Sequence, residues 1–142
     1  MKNILILTSE YCGKAKANGI CAKALADDFE DKNISVYIVS ADFEKVEDTG
    51  SEKIKSVYVP KVENKIKKRS KLFYAFRLLK NMTLYSHKVN YNKDMANLML
   101  AEAENICREV PIDAVICMYF PMESVIVGSR LKRKHKNLKF IV

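Results

Sequence analysis

Short apolar runs alternate along the chain with longer stretches in which apolar residues recur every three or four positions. The runs are Ile4–Leu7, Ile34–Val39, Ile54–Val59, Ile112–Cys117 and Leu138–Val142. Each is too short for an ordinary helix and is flanked by polar or turn-forming residues, so each predicts a strand. Most are apolar on successive positions, as strands covered on both faces are. Ile54–Val59 instead alternates and stops at Pro60, which predicts a position near a sheet edge.

The intervening stretches carry the helical period. Asn18 to Asp31 brings Ile20, Cys21, Ala24, Leu25 and Phe29 to one face, and Lys32-Asn33 closes it. Lys93 to Glu109 has an inner stripe of Met95, Leu98, Met99, Ala103 and Ile106. Met122 to Lys136 has a narrow one, Ser124, Val127, Gly128 and Leu131, in which Gly128 permits close approach to the sheet. A further helix is predicted over Lys65–Met82, with Leu72, Phe76 and Leu79 turned inward. Asp48-Thr49-Gly50-Ser51 and Tyr85–Tyr91 read as loops.

Strands alternating with helices predict an α/β fold, an open doubly wound parallel sheet with helices on both faces. Right-handed crossovers make 3-2-1-4-5 the expected strand order. A ligand crevice then falls outside the C-terminal ends of the first and fourth strands. That rule selects two loops, Ser9 to Gly19 and Tyr119 to Glu123. In the first, Asn18 is suited to an N-cap and Gly19 leaves room for a ligand against the main chain. Backbone N–H groups at Asn18, Gly19 and Ile20 could face an anion. No nucleotide fingerprint accompanies them. Gly13 and Gly19 are too far apart for the dinucleotide motif, and Gly13-Lys14-Ala15 lacks the hydroxyl of a P-loop.

At 142 residues, with 49% hydrophobic and 30% charged residues, the chain has the makings of one globular domain with a substantial core. No apolar run reaches the roughly 18–20 residues that span a bilayer, and the N-terminus has no signal-peptide pattern. Cys12, Cys21, Cys107 and Cys117 form no Cys-x-x-Cys pair, and His87 and His135 stand at no ligand spacing to them. No metal is therefore expected, and reduced thiols in a cytoplasmic protein are. Net charge is +8, from 25 Lys+Arg against 17 Asp+Glu, which asks for an anionic partner.

The cations cluster twice. Arg130–Lys136, including His135, ends a helix, where positive charge meets the negative end of the macrodipole. Lys67, Lys68, Arg69 and Lys71 crowd the Lys65–Met82 segment ahead of Tyr74 and Leu78. That mixture suits either a solvated basic face over a sheet or peripheral contact with an anionic membrane. No nucleic-acid motif accompanies the charge, and no nucleic-acid partner is expected.

Ile4-Leu-Ile-Leu-Thr-Ser-Glu-Tyr11, then Ala17-Asn-Gly-Ile20 and an Ala/Leu-rich helix, resemble the N-terminal half of the family-four, GT-B-fold glycosyltransferases. Ile112-Asp-Ala-Val-Ile-Cys-Met-Tyr-Phe-Pro121 is similar to the fourth-strand region of the same half. The resemblance implies two facing Rossmann-like domains, of which this chain is the acceptor-side one. It implies a nucleotide-sugar donor as co-substrate, a glycan or lipid-linked acceptor and no separate cofactor. By the same resemblance Asn18-Gly19 lies against the donor diphosphate. Glu10 and Tyr11, with Tyr119, Phe120 and Glu123 from the second loop, would line the acceptor crevice. Cys12-Gly13 stands where family members often carry two prolines, and the family's paired glutamates belong to a domain this sequence lacks. Glu44 and Glu52 have their spacing but fall in a polar loop, a chance match. The apolar run to Val142 leads to the expectation of a fragment, and no catalytic base is assigned. The alternative from the residues is a single-domain, flavodoxin-like redox or flavin-binding module. A third reading is a membrane-docking module built on the Lys65–Met82 segment.

Overall fold

The computed structural model describes residues 2–11, 17–41, 51–60, 91–118 and 122–142. These form strands β1 (Asn3–Thr8), β2 (Ser35–Ser40), β3 (Ile54–Tyr58), β4 (Ala114–Cys117) and β5 (Lys139–Ile141). The helices among them are α1 (Ala17–Asp31), α2 (Lys93–Glu109) and α3 (Met122–Lys134). The segment expected as a helix at Lys65–Met82 lies outside the described residues, as does the Tyr85–Asn90 part of the expected loop.

The sheet has five strands in the order β3-β2-β1-β4-β5, every neighbouring pair parallel. This is the expected doubly wound α/β architecture, with the direction of winding reversing between β1 and β4. β1 occupies the centre, and Leu5, Ile6 and Leu7 are fully buried. Burial of each such side chain contributes roughly 1.5–3 kcal/mol, so this strand is where the apolar run stabilises the fold most.

Successive residues of β1 face opposite layers. Leu5 and Leu7 join Val39, Val115 and the inner residues of α2 and α3 in one core. Ile6 joins Val36, Ile38, Ile54, Tyr11 and the small residues Ala22 and Ala26 of α1 in the other. The expected inner stripe of α3 is the observed one: Ser124, Val127, Gly128 and Leu131 are buried. That of α2 is Met95, Ala96, Met99, Ala103 and Ile106, with Leu98 turned outward.

The expected face of α1 is corrected more substantially. Its buried residues are Gly19, Ala22 and Ala26, whereas Ile20, Cys21 and Ala24 are exposed. Small side chains at i, i+3 and i+7 let this helix lie close to the sheet, and a reading based on bulk alone misses them.

The helix ends as the sequence predicts, at Lys32-Asn33. Asn33 takes a φ of 58°, its N–H donates to the Glu30 carbonyl at 2.9 Å, and the Ile34 N–H donates to the Phe29 carbonyl at 2.9 Å. This is the Schellman arrangement, with asparagine tolerating the left-handed conformation. It shifts the start of β2 from Ile34 to Ser35. At β4 the strand begins two residues later than Ile112, because Asp113 ties the strand beginnings together. Its Oδ2 accepts the Asn3 N–H at 2.9 Å, and its backbone N–H donates to the Asn3 carbonyl at 2.9 Å.

The close approach expected at Gly128 is real. A Cβ there would stand 2.2 Å from Cys117 Sγ and 2.7 Å from Cε2 of Phe140. Glycine is what lets α3 settle over β4 and β5.

Candidate functional site

The C-terminal ends of β1 and β4 meet at the winding reversal. Leu7 pairs with Cys117, and the Met118 N–H donates to the Leu7 carbonyl at 2.9 Å, so the two exits leave the sheet side by side. In an open α/β sheet this is the position at which a crevice forms. After β1 the chain turns on Thr8, whose hydroxyl donates to the Glu10 carbonyl at 2.8 Å and accepts the Glu10 N–H at 3.3 Å. The turn leaves Glu10 half-buried at the mouth of the strand.

Tyr11 does not line an open crevice as expected. It is 1% exposed and packs in the core beneath α1, with Ile6, Ala22 and Ile38. An aromatic ring just past a strand end can cover sugar or cover the core. Here the small residues of α1 leave a space that the ring fills.

α1 begins at Ala17, so Asn18 lies within its first turn and does not cap it from outside. Gly19 is buried in that turn, Asn18 half-buried, and Ile20 is 57% exposed. The leading N–H groups of a helix have no intrahelical acceptor, and the macrodipole adds positive potential at the same end. The part of the expected site made by α1 is therefore a helix N-terminus at the sheet edge where the two strand exits meet.

Glu123 is corrected as well. It is 8% exposed, and its Oε1 accepts the Asn92 N–H at 2.5 Å. Asn92 in turn caps α2, its Oδ1 accepting from the N–H groups of Asp94 at 3.1 Å and Met95 at 3.2 Å. The carboxylate expected to bind acceptor hydroxyls thus joins the first turn of α3 to the cap of α2. Beside it the Ser124 hydroxyl donates to the Met118 carbonyl, which holds α3 against the end of β4. Tyr119 and Phe120 lie outside the described residues, as do Lys67, Lys68, Arg69, Lys71, Tyr74 and Leu78.

One feature of this edge escaped the sequence reading. Thr8 pairs with Ser40, and Ser40 with Tyr58, so three hydroxyl side chains stand in register across β1, β2 and β3 on the α1 side of the sheet. Thr8 and Ser40 are fully buried, and Ser40 Oγ has no hydrogen-bond partner among the described residues. The available signal was a hydroxyl residue directly after each of the first two apolar runs, Thr8 and Ser40, and Tyr58 near the end of the third.

Cys107 and Cys117 are poor nucleophiles. Burial pushes Cys117 up to about 12, against the lowering effect of a backbone hydrogen bond at Gly128. Burial, and then the charge of Glu104, also raise Cys107. Both are protonated at neutral pH, and the thiolate is the reactive form. Among the described residues no group of three or more His, Cys, Asp or Glu side chains could hold a metal, and no helix is long and apolar enough to cross a membrane.

No protein-family model matches the chain, and no characterised protein matches it in sequence. Its fold is similar to that of the C-terminal domain, residues 78–226, of PF1911 hydrogenase from Pyrococcus furiosus. The two superpose with a TM-score of 0.61 at 12% sequence identity, over 99% of this chain and 91% of that one. The likeness is one of architecture: a Rossmann-like open sheet built from a very different sequence.

Proposed function

We propose that the chain is the acceptor-side half of a nucleotide-sugar-dependent glycosyltransferase, transferring a hexosyl unit to a glycan or lipid-linked acceptor. The observation that carries this reading is the convergence of the β1 exit, the β4 exit and the α1 N-terminus at one edge of the sheet. A helix N-terminus there suits the diphosphate that departs as the glycosidic bond breaks, since it meets developing negative charge with fixed N–H dipoles. The first turn of α1, around Gly19 and Ile20, is the donor-phosphate side. Glu10, half-buried at the mouth of β1, is in this reading the acceptor-side carboxylate for sugar hydroxyls. The reading requires a second, facing Rossmann-like domain for most of the donor contacts, so donor binding by this chain is weak and turnover absent. A cytoplasmic enzyme in peripheral contact with anionic lipid, through the segment around Lys67–Lys71, fits the same proposal.

The strand order weighs against the flavodoxin-like alternative. A flavodoxin-type sheet reverses after its second strand, in the order 2-1-3-4-5, whereas this one reverses after its third. The hydrogenase whose domain shares the fold does not revive a redox reading, because at 12% identity only architecture transfers.

Equilibrium titration of the chain with UDP-glucose and with FMN separates the two. Weak, saturable UDP-glucose binding in the range of about 1 mM with no FMN binding is expected. Tight FMN binding with a flavin spectrum would replace the proposal with the alternative.

A further inference from the structure

At the opposite edge, where the strands begin, the structure holds a cavity of about 600 Å³. This lies within the range of small-molecule sites, roughly 300–1,000 Å³. Its apolar floor is made by Ile4, Cys107, Ile112 and Leu138, from β1, α2, the approach to β4 and the approach to β5. Its rim carries Lys2, Lys136 and Lys139, all exposed. We propose that this cavity is a second binding site, for a small organic anion that joins an apolar body to a phosphate or carboxylate group.

Three observations carry the inference. The first is that the rim lysines have no structural employment. Neighbouring cations do: Lys134 pairs with Glu104, Lys132 Nζ donates to the Lys136 carbonyl at 2.6 Å, and Arg130 donates to Asn97 Oδ1 at 3.1 Å and the Tyr91 hydroxyl at 3.2 Å. Among the described residues Lys2, Lys136 and Lys139 make neither an ion pair nor a side-chain hydrogen bond. The macrodipole of α3 explains cations in its last turn, but Lys2 and Lys139 belong to strand beginnings and receive no such benefit.

The second concerns the carboxylate in the lining. Asp113 directs Oδ2 to the Asn3 N–H, and among the described residues it forms no ion pair with the three lysines. Like charges gathered at one mouth repel, and an anion seated among them removes that repulsion. The third is the floor. The Cys107 thiol is held in its neutral form by burial, so it behaves as apolar surface. Cationic rim and apolar floor together select an amphipathic anion over a bare ion or a neutral hydrocarbon.

The site is independent of the sugar-transfer reading and lies across the sheet from it. Its test is an amide-shift titration of the 15N-labelled chain with phenyl phosphate, phenylacetate, inorganic phosphate and benzyl alcohol. Phenyl phosphate or phenylacetate is expected to shift Ile4, Asp113, Ala114, Leu138 and Lys139 saturably while leaving Gly19 and Ile20 unmoved. Inorganic phosphate and benzyl alcohol should each bind at least about fivefold more weakly. Combining Lys2→Glu with Lys139→Glu should weaken phenyl phosphate binding by about tenfold or more. Both positions are exposed, and an otherwise unchanged amide spectrum verifies that the variant folds. Absence of shifts in this cavity, binding insensitive to the charge reversals, or equal binding of either control would overturn the proposal.

Discussion

Gly128 and Cys117 show how single atoms set this fold. The sulfur occupies the space into which a Cβ on α3 would project, with Phe140 of β5 closing the other side. Gly128→Ala gains about 1 kcal/mol of helix propensity, yet overpacking costs about 1–3 kcal/mol. The variant is expected to be less stable, by up to about 2 kcal/mol, in urea unfolding. Adding Cys117→Ala should recover part of that loss, whereas strict additivity of the two substitutions would argue that the sulfur is not the obstacle. Cys117 also predicts an alkaline limit. Its folded pKa of about 12 lies above the ordinary thiol value of 9.0. The unfolded chain therefore loses the proton first, so this contribution is complete below pH 9 and is lost as pH rises toward 12. Relative to Cys117→Ala, the wild-type chain should lose up to about 1.4 kcal/mol per pH unit within that window. At this scale the sequence was legible where bulk and spacing decide, as at Gly128. It was not where a residue's role depends on what packs over it: Tyr11 and Glu123 have the chemistry of a binding site but serve the core and a helix cap.

Among the elements, the α2–α3 pair depends on a polar joint at one end. Asn92 caps α2, and Glu123, in the first turn of α3, accepts the Asn92 N–H. The carboxylate also benefits from lying at a helix N-terminus. Glu123→Ala leaves a buried N–H without its acceptor, a loss of about 1–3 kcal/mol. Asn92→Ala removes the cap at about 0.5–2 kcal/mol. Both should lower the urea midpoint, and the double variant should lose less than the sum because the two residues share one joint. Neither this joint nor the hydroxyl row of Thr8, Ser40 and Tyr58 could be read from period, since both join residues distant in sequence. Local signals did better. The helix end at Asn33 and the stripe of α3 follow from propensity and spacing, while the face of α1 misled because alanine and glycine do its packing.

At the scale of the molecule, the alternation of apolar runs and helical stretches was enough to predict a parallel sheet in the order 3-2-1-4-5, because chain handedness and short connections leave few topologies. The order then fixes where opposite windings part, and the candidate site follows from it. The substrate does not, since one fold carries many chemistries. What remains distinctive is a molecule with two unlike edges: helix N-terminal dipoles where strands β1 and β4 end, and an amphipathic cationic cavity where they begin. The sugar-transfer account stands on the first of these. Ile20 offers a clean probe, being 57% exposed in the first turn of α1. Glutamate there suits the helix dipole but repels a diphosphate. The direct measurement is an amide-shift map of UDP-glucose on the 15N-labelled chain and on Ile20→Glu. The account predicts shifts centred on Ser9, Glu10, Gly19, Ile20 and Met118, with binding weakened about fivefold or more in the variant. Shifts centred elsewhere, or binding that Ile20→Glu leaves unchanged, would contradict it.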